Sequence, residues 1–196
     1  MTLGNARKDT YFMTKTTAER LNELLEEGLE HKLYSGVALA VLNSDDVLYQ
    51  ACRGSLSFDD KTPVDETTLF DLASLTKILC TTPLALQALG EGKMRLSQPI
   101  YQLLTHTSGL PAHVLLQDAV NSPDEVEDFI NTLETVYEPG EHVVYSCMGF
   151  IRLGFYLQHL LGGSLDELLE TRIKARLGLK RLGYNPHSKK VCHTRD

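Results

Sequence analysis

In Phe70-Asp-Leu-Ala-Ser-Leu-Thr-Lys-Ile-Leu-Cys-Thr-Thr-Pro-Leu-Ala-Leu-Gln-Ala-Leu-Gly90, the residues Leu75, Ile78, Leu79, Thr82, Leu86 and Leu89 recur at three- and four-residue steps. That spacing predicts one largely buried helix. Pro83 cannot donate a backbone hydrogen bond, so a kink or break is expected there. Ser74 and Lys77 fall near the start, one turn apart on one face. A serine hydroxyl is a poor nucleophile until a neighbour takes its proton. A lysine can do so when it is neutral, which a desolvated setting among apolar side chains favours. The same pair also fits a structural helix whose lysine snorkels to water. Residues elsewhere in the chain decide between the two.

On the N-terminal side, residues 1–15 read as loose, and Thr16-Thr-Ala-Glu19 reads as a capping box opening an amphipathic helix to about Glu30. Gly36-Val-Ala-Leu-Ala-Val-Leu42 is a continuous apolar run, expected to be a strand buried on both faces. Asn43-Ser-Asp-Asp46 is a turn, and Val47–Cys52 returns as the second strand of a hairpin. On the C-terminal side, Leu103-Leu-Thr-His-Thr-Ser-Gly-Leu-Pro111 ends in a turn cluster. Ser122-Pro-Asp-Glu125 opens a helix to about Val136, and His142–Tyr145 is a short extended piece. Phe150–Leu161 is an apolar helix stopped by Gly162-Gly163, and Ser164-Leu-Asp-Glu167 caps another that runs to about Leu177. Beyond Leu179 the chain reads as a polar tail. A single hairpin is too little for an independent sheet.

The chain has 196 residues, 42% of them hydrophobic, which suits a single soluble domain. Its net charge of −7 supplies no basic face for nucleic acid or an anionic membrane. The N-terminus lacks the apolar core of a signal peptide, and no run is long enough to span a bilayer. Cys52, Cys80, Cys147 and Cys192 are scattered without a Cys-x-x-Cys pair. Reduced thiols in a cytoplasmic setting are expected, although an even count leaves disulfides open. No His or carboxylate cluster has metal-ligand spacing and no glycine-rich phosphate loop occurs, so no metal or organic cofactor is expected.

Three stretches fall in order: Phe-Asp-Leu-Ala-Ser74-Leu-Thr-Lys77, Leu-Leu-Thr-His-Thr-Ser-Gly-Leu110 and Pro-Gly-Glu-His-Val-Val-Tyr145-Ser-Cys147. Together they closely resemble the serine β-lactamase-related family, which includes class C β-lactamases, D-alanyl-D-alanine carboxypeptidases and serine esterases of β-lactamase fold. The resemblance covers roughly Ser35 to Pro186. It implies an α+β, β-lactamase/transpeptidase-like domain over residues 1–196. The N-terminal helix and hairpin (16–54) would belong to an incomplete antiparallel sheet, and 65–185 would be the helical half carrying the serine. It implies Ser74 as nucleophile, Lys77 as the partner that helps to deprotonate it and Tyr145 as proton shuttle between nucleophile and leaving group. The Ser74 N–H would form half of an oxyanion hole, and the substrate would be a small ester, amide or β-lactam. His106 would brace a loop, and His113 and His142 read as structural.

The sequence departs from the family in three places. Cys147 stands where an asparagine that binds the substrate amide is often found, and a thiol is a weak donor. That tilts the expected substrate towards simple esters. Gln98–Leu104 joins segments that the family separates by a longer stretch. The Lys/His-Thr/Ser-Gly strand is not found, and His193-Thr-Arg is the nearest string. The alternative to an enzyme is therefore a catalytically impaired, truncated relative that acts as a binding module, with self-association through an exposed sheet edge.

Overall fold

A computed structural model describes residues 15–186, 188 and 190–192, with the side chain of Gln98 left out of the description. The readings of residues 1–14 and of His193-Thr-Arg lie outside the described residues, and Lys15, read as loose, is already helical. The chain forms two compact units, one built from residues 15–71 with 188 and 190–192, the other from Leu72–Pro186.

The first unit opens with helix α1, Lys15–Glu30. Thr16 lies inside it, so the expected capping box is not where the helix begins. Strands β1 (Gly36–Leu42) and β2 (Val47–Gly54) pair antiparallel, with a bulge between Val41 and Leu42. The Asn43 side chain fixes the turn by accepting the N–H groups of Asp45 and Asp46 at 2.8 and 2.6 Å. β1 is not buried on both faces: Ala38, Ala40 and Leu42 alternate to the exposed side. Its apolar run reflects β-propensity on a half-covered surface. Asn22 of α1 ties the helix to β2, accepting from Tyr49 Oη at 2.8 Å and from Arg53 at 2.9 Å. Strand β3 (Leu69–Phe70) pairs in parallel with β4 (Val191–Cys192), placing the Cys192 thiol against Leu56 and Val64. The region beyond Leu179, read as a polar tail, thus returns a short strand.

In the second unit, Lys77–Thr81 is a π-helical turn followed by α2, Thr82–Gly90. The wide turn accommodates Pro83 at the start of α2, so the break expected at the proline takes the form of a change in helix type. The buried face is also not the one that the leucine spacing suggests. Cys80, Thr81, Leu84, Ala85 and Ala88 are buried, whereas Leu75, Ile78, Leu79 and Leu86 are exposed, Ile78 to 61%. A π-turn adds a residue per turn and rotates the face that follows, which an unbroken 3.6-residue reading cannot anticipate.

Helix α3 spans Gln98–Leu104 and α4 spans Leu116–Ala119. A 3₁₀ turn at Pro123–Glu125 leads into α5, Val126–Thr132. α5 stops short of Val136 because Leu133 turns extended. α6 runs Cys147–Leu161, starting earlier than the apolar run suggests. Its N-cap is Ser146, whose hydroxyl accepts the Gly149 N–H at 3.0 Å, and Gly162 ends it in the left-handed region at φ 73°. α7 (Leu165–Leu168) carries the full Ser164/Glu167 capping box and continues through a π-helical stretch, Leu169–Lys174, into α8, Ala175–Leu177.

The main core packs Leu84, Ala85 and Ala88 of α2 against Leu153 and Leu157 of α6 and against Leu168, Leu169 and Ile173. Leu153 is fully buried. Leu153→Ala leaves a cavity at the α2–α6 contact and is expected to cost about 2–5 kcal/mol. A thermal or urea unfolding curve checks this.

Candidate active site

The entrance to the Ser74 segment is made of tight turns. Leu75, Thr76 and Lys77 donate backbone hydrogen bonds to Leu72, Ala73 and Ser74 at 2.8–3.1 Å. Ala73 is held at φ 41°, a left-handed conformation that a residue with a Cβ adopts at a cost. Ser74 is exposed at this turn and Lys77 is half-buried. Lys77 Nζ donates to Ser74 Oγ at 3.0 Å and to Cys147 Sγ at 3.6 Å.

Tyr145 reaches the pair from a distant segment. Lys77 Nζ lies 4.9 Å from its ring centroid. Hydrogen bonds to the phenol from Lys77, and secondly from Ser74, hold Tyr145 below the ordinary tyrosine pKa. The structure thus brings Ser74, Lys77, Tyr145 and Cys147 together.

The Leu-Leu-Thr-His-Thr-Ser-Gly segment frames this arrangement. Gly140 N–H donates to Thr107 O at 2.7 Å, Val144 N–H to His106 O at 2.9 Å and Val136 N–H to Gly109 O at 2.8 Å. Gly109 sits at φ 78°, and a Cβ there would lie 2.4 Å from Tyr137 O, so only glycine fits. His106 Nδ1 accepts the Ser146 N–H at 3.0 Å, and the ring packs 4.5 Å from Tyr145 and 4.9 Å from Phe150. Burial, then the Lys77 charge, push His106 below the usual histidine pKa, which keeps Nδ1 free to accept. Ser146 is buried and donates to Pro111 O at 2.7 Å. Cys147, just after this cap, donates its N–H to Ala112 O at 2.8 Å. The α6 N-terminus and Tyr145 are therefore positioned by the same loop. His113 and His142 do not join the cluster, and His142 contacts Glu141 and the Tyr137 ring.

A cavity of about 340 Å³ opens beside Ser74 and Lys77 and is walled by Cys147, Phe150, Ile151 and Phe155, with Leu165 and Tyr184 further along. Of these walls the motifs point to Cys147 but not to Phe150, Ile151 or Phe155. Placing the start of α6 at Cys147 would have exposed their helical repeat. All four cysteines are free thiols. Among the described residues no group of three or more His, Cys, Asp or Glu could hold a metal ion, and no helix is long and apolar enough to cross a membrane.

A family model described as Beta-lactamase matches residues 21–192. The chain belongs to the Beta-lactamase family. This Beta-lactamase-family chain is 26% identical over 208 aligned residues to a putative D-alanyl-D-alanine carboxypeptidase of Escherichia coli O157:H7, covering 86% of the chain and 48% of that protein. The chain spans about half the length of the curated relatives it matches. The octameric penicillin-binding protein homologue from Pyrococcus abyssi superposes with a TM-score of 0.78 at 22% identity, over 89% of the chain and 47% of that structure. EstCE1, described as a hydrolase with promiscuous acyltransferase activity, superposes with a TM-score of 0.78 at 19% identity, over 89% of the chain and 55% of that structure. The α+β architecture is that of the β-lactamase/transpeptidase fold.

Proposed function

We propose that this Beta-lactamase-family chain carries a serine hydrolase site that works through an acyl-enzyme on a small ester, amide or β-lactam. The supporting observation is the 3.0 Å contact of Lys77 Nζ with Ser74 Oγ, with the same Nζ 4.9 Å from the centroid of the Tyr145 ring. The Tyr145 phenolate, favoured by the Lys77 ammonium, takes the Ser74 proton as Oγ attacks the substrate carbonyl. The tetrahedral intermediate then collapses, the bond to the leaving group breaks, and the proton passes through Tyr145 to that group. Water, deprotonated by the same pair, releases the acid and restores Ser74. His106 holds the Tyr145 segment and touches no reacting atom. The names of the relatives, a putative carboxypeptidase and a hydrolase with acyltransferase activity, favour acyl transfer.

A fluorophosphonate probe followed by peptide mass spectrometry tests this. The expected result is a single adduct on Ser74, and an unlabelled Ser74 rejects the enzyme reading. The rival, a binding module without turnover, draws on the exposed apolar face of Leu75, Ile78 and Leu86. It is the reading that an unlabelled Ser74 would leave.

A further inference from the structure

The cavity beside Ser74 follows α6. One wall carries Ser74, Lys77 and Thr81, and the other carries Cys147, Ile151 and Phe155 down to Gln158. From Cys147 to Gln158 a helix advances roughly 16 Å. Along the middle of this path the lining is apolar: Gln158 Oε1 accepts the Leu165 N–H at 3.0 Å, the Cys147 thiol meets Lys77, and the unpartnered Tyr184 hydroxyl is buried further along. A substrate amide lying between Ile151 and Phe155 would lose its water without gaining paired partners, which disfavours it there. A hydrocarbon chain meets Ile151, Phe155 and Leu165 at no such cost.

Orientation follows from Tyr145. It is 52% exposed and stands outside the lining of the cavity. The group that protonates the leaving group therefore faces water, and the part of the substrate that stays bonded to Ser74 faces the groove. Resting on the serine-hydrolase reading, we propose that the groove selects the acyl part of the substrate, an unbranched apolar chain on the order of six to ten carbons. The substrate class is then esters of medium-chain fatty acids.

The test uses the acid products as probes: acetate, butyrate, hexanoate and octanoate, titrated into full-length Ser74→Ala protein. The dissociation constant is expected to fall about fourfold per methylene until the groove is full. Chain-length-dependent protection of Cys147 from iodoacetamide locates the site. Ile151→Trp, which fills the groove, is expected to flatten the series from hexanoate upward. If that variant does not fold, the Ser74→Ala series and Cys147 protection decide alone. Equal affinities across the series overturn the proposal, as does tightening with length that leaves Cys147 alkylation unchanged. A flat series alongside a labelled Ser74 removes only the acyl assignment. An unlabelled Ser74 alongside an intact series removes the hydrolase reading and the ester assignment that rests on it, while the chain-binding groove stands.

Discussion

Ser74→Ala is expected to lower turnover of p-nitrophenyl butyrate by at least about 10⁴-fold, because the hydroxyl in contact with Lys77 Nζ is the one that forms the acyl-enzyme. Ser74 is exposed at a turn and its hydroxyl packs against no core residue, so the loss comes without unfolding. The parent's thermal midpoint should be retained. Release of nitrophenol at the parent rate would show that some other group, or water alone, carries the reaction. The Cys147 thiol is the obvious substitute, since it contacts the same Lys77 Nζ at 3.6 Å. Ser74→Ala combined with Cys147→Ala separates that case.

Tyr145→Phe is expected to slow acylation by about 10²–10⁴-fold, the usual contribution of a positioned acid–base group. It removes one oxygen and keeps the ring against His106 and under the Lys77 cation. The pH profile gives a sharper readout than the rate. Donors to the phenol, Lys77 before Ser74, stabilise the phenolate and lower the Tyr145 pKa. The rate should therefore rise through a pKa below that of ordinary tyrosine and level off above it, and the Phe variant should lose this limb. Removing the cation with Lys77→Met should move the phenol's ultraviolet titration upward, towards the ordinary value. Difference spectra against Tyr145→Phe isolate it from the other tyrosines. A phenol that titrates identically with and without Lys77 would contradict the contact.

The three motif stretches were legible as a constellation because each is short and keeps its own spacing. Ser74 and Lys77 needed only one turn of chain between them. Tyr145 was legible by likeness alone, since nothing local in His142–Tyr145 indicates that His106 O takes the Val144 N–H and holds that segment beside the Ser74 turn. The buried face of α2 was misread for a physical reason. A π-turn ahead of Pro83 rotates the helix, so Leu84, Ala85 and Ala88 go inward and Ile78 and Leu86 go outward. The start of α6 was missed because Ser146 caps through Gly149, a residue with no helical preference of its own. With that start went the walls of the groove. The pairing of Val191–Cys192 with Leu69–Phe70 joins residues more than a hundred positions apart, and no local pattern encodes it.

The central claim is that Lys77 and Tyr145 act on Ser74 as one unit. A double-mutant cycle on the fluorophosphonate labelling rate tests it directly, using the parent, Lys77→Met, Tyr145→Phe and the double variant. Groups sharing one proton path give strongly non-additive losses, so the double variant should label about as slowly as the slower single variant. Losses that multiply would mean that the two side chains act independently, and would contradict the account.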